Sequence, residues 1–138
     1  MIRFLGKNES PAEHPSDLVG RFVGKEGLTS YRTYSRPMLV TGYSGSRLYV
    51  KASLVDHKTL DGTLKLLPVE EWDEEFHIQL KSVVYVCDTK EEGEQVMAAT
   101  RRSKQIWEEG ERRLRAEIVS VYRDLVANQP DEDERPRP

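Results

Sequence analysis

Between residues 36 and 53 (RPMLVTGYSGSRLYVKAS) apolar and polar positions alternate on both sides of a Ser-Gly-Ser triplet. Met38, Val40 and Gly42 point one way along an extended chain, and Leu39, Thr41 and Tyr43 the other. After the turn at Ser44-Gly45-Ser46 the extended run resumes at Leu48, Tyr49 and Val50. This spacing predicts a β-hairpin. Residues 18–24 (LVGRFVG) predict an earlier strand, its glycines marking a bend or a close backbone approach. Leu54-Val55 extends the hairpin, and an Asp61-Gly62 turn precedes a further strand over residues 65–69, which Pro68 stops. Residues 76–80 (FHIQL) alternate as a half-buried strand does. Residues 82–87 (SVVYVC) form the strongest strand signal in the chain.

The period then changes from two to between three and four. Thr89 with Glu92 three residues later fits a capping box, and Glu91, Glu92 and Glu94 suit the positive end of a helix dipole. Val96, Ala99, Ser103, Ile106, Trp107, Gly110, Leu114, Ile118, Val121 and Leu125 mark one helical stripe, and the first breaker is Pro130. A helix from Glu91 to Ala127 spans roughly 55 Å at ~1.5 Å per residue. A barrel of five or six short strands of ~17–20 Å is only about half that across. The far end of the helix must therefore overhang, bend back at Gly110 or meet a partner.

The pattern predicts an α+β fold: a small curled antiparallel β-sheet or half-open barrel of SH3-like size, followed by one long C-terminal α-helix. It divides into a partly flexible N-terminal arm (1–16), the sheet or barrel (17–87), the amphipathic helix (88–128) and a disordered tail (129–138).

Composition sharpens this picture. Hydrophobic residues make up 37% of the 138 positions and charged residues 33%, which predicts a small core with part of the chain outside it. The net charge of −3 hides segregation. Residues 1–60 carry nine Lys/Arg against five Asp/Glu, and residues 61–100 carry three against ten. Positive potential over the first half and negative over the middle predict an anionic partner for one face, or self-association. The single Cys87 excludes an internal disulfide and reads as a buried free thiol. With no apolar run near the roughly 20 residues of a membrane span and no apolar leader, a soluble cytoplasmic protein is expected.

Candidate chemistry gathers around the hairpin, where Arg32, Arg36, Arg47 and Lys51 interleave with Tyr31, Tyr34, Tyr43 and Tyr49. A basic strand face with exposed aromatics can neutralise phosphates and stack bases. The same tyrosines could equally be cross-strand packing and the arginines solvated edge charges. Ser44 and Ser46 could hold a phosphate through the turn, although the phosphate-loop spacings GxxxxGK[ST] and GxGxxG are both absent. Asp56, His57, Asp61, Asp73, Glu74, Glu75 and His77 offer carboxylates and imidazoles without a spacing that demands convergence, so neither metal nor cofactor is expected.

The first function reading is a non-catalytic binding module for nucleic acid or a nucleotide-like anion. Its ligand-binding set is Arg32, Tyr34, Arg36, Tyr43, Ser44, Ser46, Arg47, Tyr49 and Lys51. A homo-oligomer forms through residues 100–126, with Trp107, Leu114, Ile118, Val121 and Leu125 at the interface. Arg101, Arg102, Lys104, Arg112, Arg113 and Arg115 supply a basic helix face. The alternative is a protein–protein adaptor or inhibitor, such as a phage or mobile-element factor, acting on a host protein through the acidic loop around Trp72 and the helix. A hydrolase built on His57 or His77 has the least support.

Overall fold

The computed structural model describes residues 1–27, 33–57 and 65–129. The chain divides into two compact units, Met1–Lys104 and Gln105–Pro138. The first is built on six strands: β1 (Arg3–Phe4), β2 (Phe22–Gly24), β3 (Met38–Ser44), β4 (Arg47–Ala52), β5 (Glu75–Gln79) and β6 (Tyr85–Cys87). They form one antiparallel sheet in the order β1-β6-β2-β3-β4-β5, which is not closed. A single helix, α1 (Lys90–Ala127), follows and runs unbroken through Gly110. The fold is α+β, as the hydrophobic pattern predicts.

Alternation along the strands gives the sheet two apolar faces. On one, Val23, Met38, Val40, Leu48, Val50, Ile78 and Val86 join Leu18 and Val83 in a single cluster. Residues from both ends of the strand order meet there, so the sheet is curled around this face. On the other, Phe22, Tyr85 and Cys87 pack with Leu66, Trp72 and two residues of the first turns of α1, Val96 and Met97. The helix start and the Trp72 segment thus pack on Phe22, Tyr85 and Cys87 of this second face. Two glycines permit the close packing. A Cβ on Gly24 would fall 1.8 Å from the Tyr85 ring, and one on Gly93 would fall 2.5 Å from Pro37 Cγ.

Three elements differ from the sequence pattern. Residues 18–24 do not form one strand. Pro15–Leu18 is a 3₁₀ turn that drops Leu18 into the core, Gly20 takes φ +85°, and extension begins only at Phe22. Residues 65–69 do not form a strand either. Leu66 makes one bridge to Val55, but its N–H donates to Glu94 Oε2 of α1 (2.7 Å), and Pro68 leads into a second 3₁₀ turn, Val69–Glu71. The bridge keeps both of its backbone bonds, Asp56 N–H to Lys65 O and Leu67 N–H to Leu54 O (2.8 Å each), while the Glu94 carboxylate takes the N–H on the opposite edge. Over 82–87 only Tyr85–Cys87 is strand, preceded by the turn Leu80–Ser82.

The start of α1 matches its sequence signature. Glu92 N–H donates to Thr89 Oγ1 (3.1 Å), and Thr89 N–H donates to Glu92 Oε1 (3.1 Å), which closes the capping box. The Met1 ammonium sits between Asp88 Oδ2 (2.6 Å) and Glu92 Oε2 (2.7 Å). These hydrogen bonds raise the amine's pKa and lower those of both carboxylates. They also tie the segment that carries β1 to the helix start. Beyond Gln129 the tail lies outside the described residues.

Candidate functional site

The hairpin β3–β4 turns through Gly45-Ser46, with Ser44 paired to Arg47. Gly45 has φ +59° while Ser46 stays negative, the φ pattern of a type II′ turn, which matches the twist of flanking strands. One irregularity decides what the hairpin displays. Val40 pairs with Val50 and Gly42 with Tyr49, so Thr41 is an extra residue on β3, a β-bulge. Thr41 Oγ1 donates to Tyr49 O (3.2 Å) at this point.

The bulge reverses the alternation of everything after it on β3. Without it Tyr43 would share a face with Leu39 and Tyr49. With it Tyr43 pairs with Leu48 and lies toward the curled core face, its ring edge-on to His14 at 5.5 Å. Gly42 takes the place beside Tyr49 instead. A hairpin tyrosine thus stands on each face, with Tyr43 41% and Tyr49 46% exposed.

Strand β5 completes the outer face. The register sets Arg47 opposite Gln79, Tyr49 opposite His77 and Lys51 opposite Glu75. Period-two geometry therefore places Arg47, Tyr49 and Lys51 in one row and Gln79, His77 and Glu75 in the next. Lys51 Nζ stands 4.0 Å from Glu75 Oε1. A shallow depression of about 360 Å³ is lined by Thr41, Gly42, Tyr49, Glu75, Phe76 and His77. Gly42 leaves open the ground beside the Tyr49 ring that a side chain would occupy.

The other residues expected to bind ligand lie elsewhere. Tyr34 is half-buried against Phe4 (5.1 Å) and Tyr85 (5.8 Å, near-perpendicular), so it braces the β1–β6 end of the sheet. Arg36 is exposed but precedes β3 at the end away from the turn. Eight residue steps at ~3.3 Å each separate it from the Ser44–Arg47 pair by roughly 26 Å. Ser44 and Ser46 are exposed at the turn, where Ser46 O accepts from Leu80 N–H (2.8 Å). Ser46 also lines a cleft of about 830 Å³ under residues 5–11, with Lys7, Glu9, Glu26 and Lys81. Arg32 and Tyr31 lie outside the described residues. The structure thus gathers Arg47, Tyr49 and Lys51, and adds His77, Gln79 and Thr41. The alternation of FHIQL put His77 and Gln79 on one side of a strand, but their pairing with β4 had no local signal.

Among the described residues the other titratable groups do not assemble into a second site. Cys87 is buried, and its thiol is pushed up to about 12 by burial and by the charges of Glu92 and Asp88, so it stays protonated. Burial raises the Tyr85 phenol above its ordinary value, and its hydroxyl donates to Ser35 O (2.8 Å). Among the described residues no group of three or more His, Cys, Asp or Glu is placed to hold a metal ion, and no helix is long and apolar enough to cross a membrane. In the acidic loop Trp72 is buried and its Nε1–H donates to Leu67 O (3.0 Å), while Glu70, Glu71, Asp73 and Glu74 are exposed.

On α1, the residues expected at an oligomer interface, Trp107, Leu114, Ile118, Val121 and Leu125, are all about half exposed or more. Val119, Tyr122 and Val126 are exposed beside them. Comparisons with protein-family models, with curated proteins and with solved structures return no match.

Proposed function

We propose that this chain is a non-catalytic binding module that assembles through α1 and holds single-stranded nucleic acid or a nucleotide-like anion on the outer face of β3–β5. The observation that carries the reading is the exposed Tyr49 ring, set between Gly42 and His77 with Arg47 and Lys51 two residues away on the same face. An aromatic with open ground beside it can stack a base, and a guanidinium at the end of the row can grip phosphate through two parallel hydrogen bonds. Glu75 partly neutralises Lys51, so Arg47 supplies most of the charge. Several such faces on one assembly would raise avidity for a long strand.

The test is fluorescence anisotropy of a labelled oligothymidylate across a salt series. Binding is expected to weaken steeply as salt rises. Tyr49→Ala is expected to cost ~1–3 kcal/mol of affinity, while Tyr43→Ala on the opposite face leaves it unchanged. No binding at low salt, or equal losses from the two tyrosines, sinks the reading.

The ordered acidic loop favours a second reading, a protein adaptor. The buried indole of Trp72 fixes four exposed carboxylates in place, a surface suited to a basic partner protein. Capture of one protein that is lost on Glu70→Lys with Glu74→Lys, and kept in Tyr49→Ala, would select it over the first.

A further inference from the structure

The second unit carries seven exposed apolar side chains within thirteen residues of α1: Leu114, Ile118, Val119, Val121, Tyr122, Leu125 and Val126, each 45% to 69% exposed. At about 100° per residue they cover roughly 160° of the helix circumference. A two-stranded pair needs only a narrow seam. The residues fall instead into two rows. Leu114, Ile118, Val121 and Leu125 form the first, and Trp107 continues it toward the N-terminus. Val119, Tyr122 and Val126 form the second, about 100° around the helix from the first, and Arg115 stands at the N-terminal end of this row.

A helix with two apolar rows touches two neighbours. In a closed ring the directions to those neighbours differ by about 60° for three helices, about 90° for four and about 108° for five, so the observed spacing fits four or five and not three. The flanking charges differ between the rows. Outside the first row stand Glu117 and Asp124, with Arg113 one turn before Glu117. Outside the second stand Arg112 and Arg123. An antiparallel contact joins like row to like row and sets Glu117 against Asp124 of the neighbour. A parallel head-to-tail contact joins the first row of one chain to the second row of the next, so the acidic flank meets the basic one.

From these rows and their flanks we infer that α1 builds a parallel ring of four or five copies of this chain over residues 114–126. In it Glu117 and Asp124 of each copy lie beside Arg112 and Arg123 of the next. This rests on the self-association in the proposed function and adds its partner, orientation and number.

The experiment is native mass spectrometry of the full 15.9 kDa chain, with two charge variants and one cross-linking variant. The expected result is a four- or five-chain mass for the native protein and its loss in Glu117→Lys with Asp124→Lys. Adding Arg112→Glu and Arg123→Glu to that variant is expected to restore it. Leu125→Cys is expected to form a disulfide between copies on mild oxidation, because a parallel ring brings equivalent positions together. Far-UV circular dichroism checks that each variant keeps its helix. A monomeric native protein overturns self-association and the ring with it. An assembly of two or three chains, one indifferent to the first charge reversal, or one in which Leu125→Cys does not cross-link overturns the ring alone.

Discussion

The two units of this chain use the same kinds of side chain to opposite effect. In Met1–Lys104 every large apolar residue of β2 and β6 has an intrachain partner, and Trp72, Tyr85, Leu48 and Val23 are almost wholly buried. In Gln105–Pro138 the leucines, isoleucines and valines of α1 are exposed. The difference lies in what surrounds each residue, since both stretches are apolar at regular intervals. A sheet curled on itself shelters one face within a single chain, whereas a lone helix has no second layer of its own. The teaching is that periodicity reports which side of an element is apolar and says nothing about whose atoms cover it.

The sharpest way to break the contrast is to remove a core residue of the first unit. Trp72→Ala deletes the side chain that closes the second apolar face and anchors the acidic loop. A loss of ~3–5 kcal/mol in denaturant unfolding is expected, as for other buried aromatics. A loss under ~1 kcal/mol would show that the Trp72 segment does not seal the core.

A smaller effect is expected where the first unit hands over to the helix. Thr89→Ala removes one arm of the capping box and is expected to cost ~1 kcal/mol. The same corner titrates. Asp88 and Glu92, with ordinary values of 3.8 and 4.5, are held lower by hydrogen bonds from the Met1 ammonium, so their contribution is complete above 4.5 and fades as pH falls through the lowered values. The ammonium is raised above its ordinary 8.0, so its contribution is complete below 8.0 and fades as pH rises through the raised value. The melting temperature is expected to form a plateau between those limits. Acetylation of the amine should remove the alkaline shoulder and shrink the acid one, which the Asp88 and Thr89 N–H groups on Glu92 and Arg21 beside Asp88 still support, and an unchanged profile after acetylation would show that the ammonium contributes nothing.

The smallest stability effect is expected in the second unit, and it sharpens the comparison most. Leu114→Asp with Ile118→Asp replaces side chains that have no core of their own to lose. Melting of the first unit is expected to stay within ~0.5 kcal/mol of native, as for other surface changes. Light scattering should meanwhile report a single chain in place of an assembly. A native protein already monomeric, or a variant that keeps the assembly, would contradict oligomerisation through α1.

How far each feature could be read in advance follows the range of the interactions that set it. The helix start was legible because Thr89 and Glu92 bond within one turn, and the hairpin turn because Gly45 accepts a positive φ cheaply. The strand expected at 65–69 was not, because after a single bridge to Val55 the chain turns at Val69–Glu71 to bury Trp72 against residues distant in sequence. The Tyr/Arg cluster was legible only in part. Arg47, Tyr49 and Lys51 share a face at period two within one strand. Tyr34 was drawn into the Phe4–Tyr85 stack by contacts across the sheet. Tyr43 was turned to the other face by the bulge at Thr41.

By itself the sequence determined the long helix and its cap, the hairpin and its turn, the outward row on β4 and the apolar stripe on α1, because each depends on neighbours a few residues apart. The tertiary structure alone decided the strand order, the pairing of Tyr49 with His77 and the side of the sheet on which each hairpin tyrosine stands. Those depend on a register between distant segments, and a single inserted residue in one strand reverses every side chain beyond it.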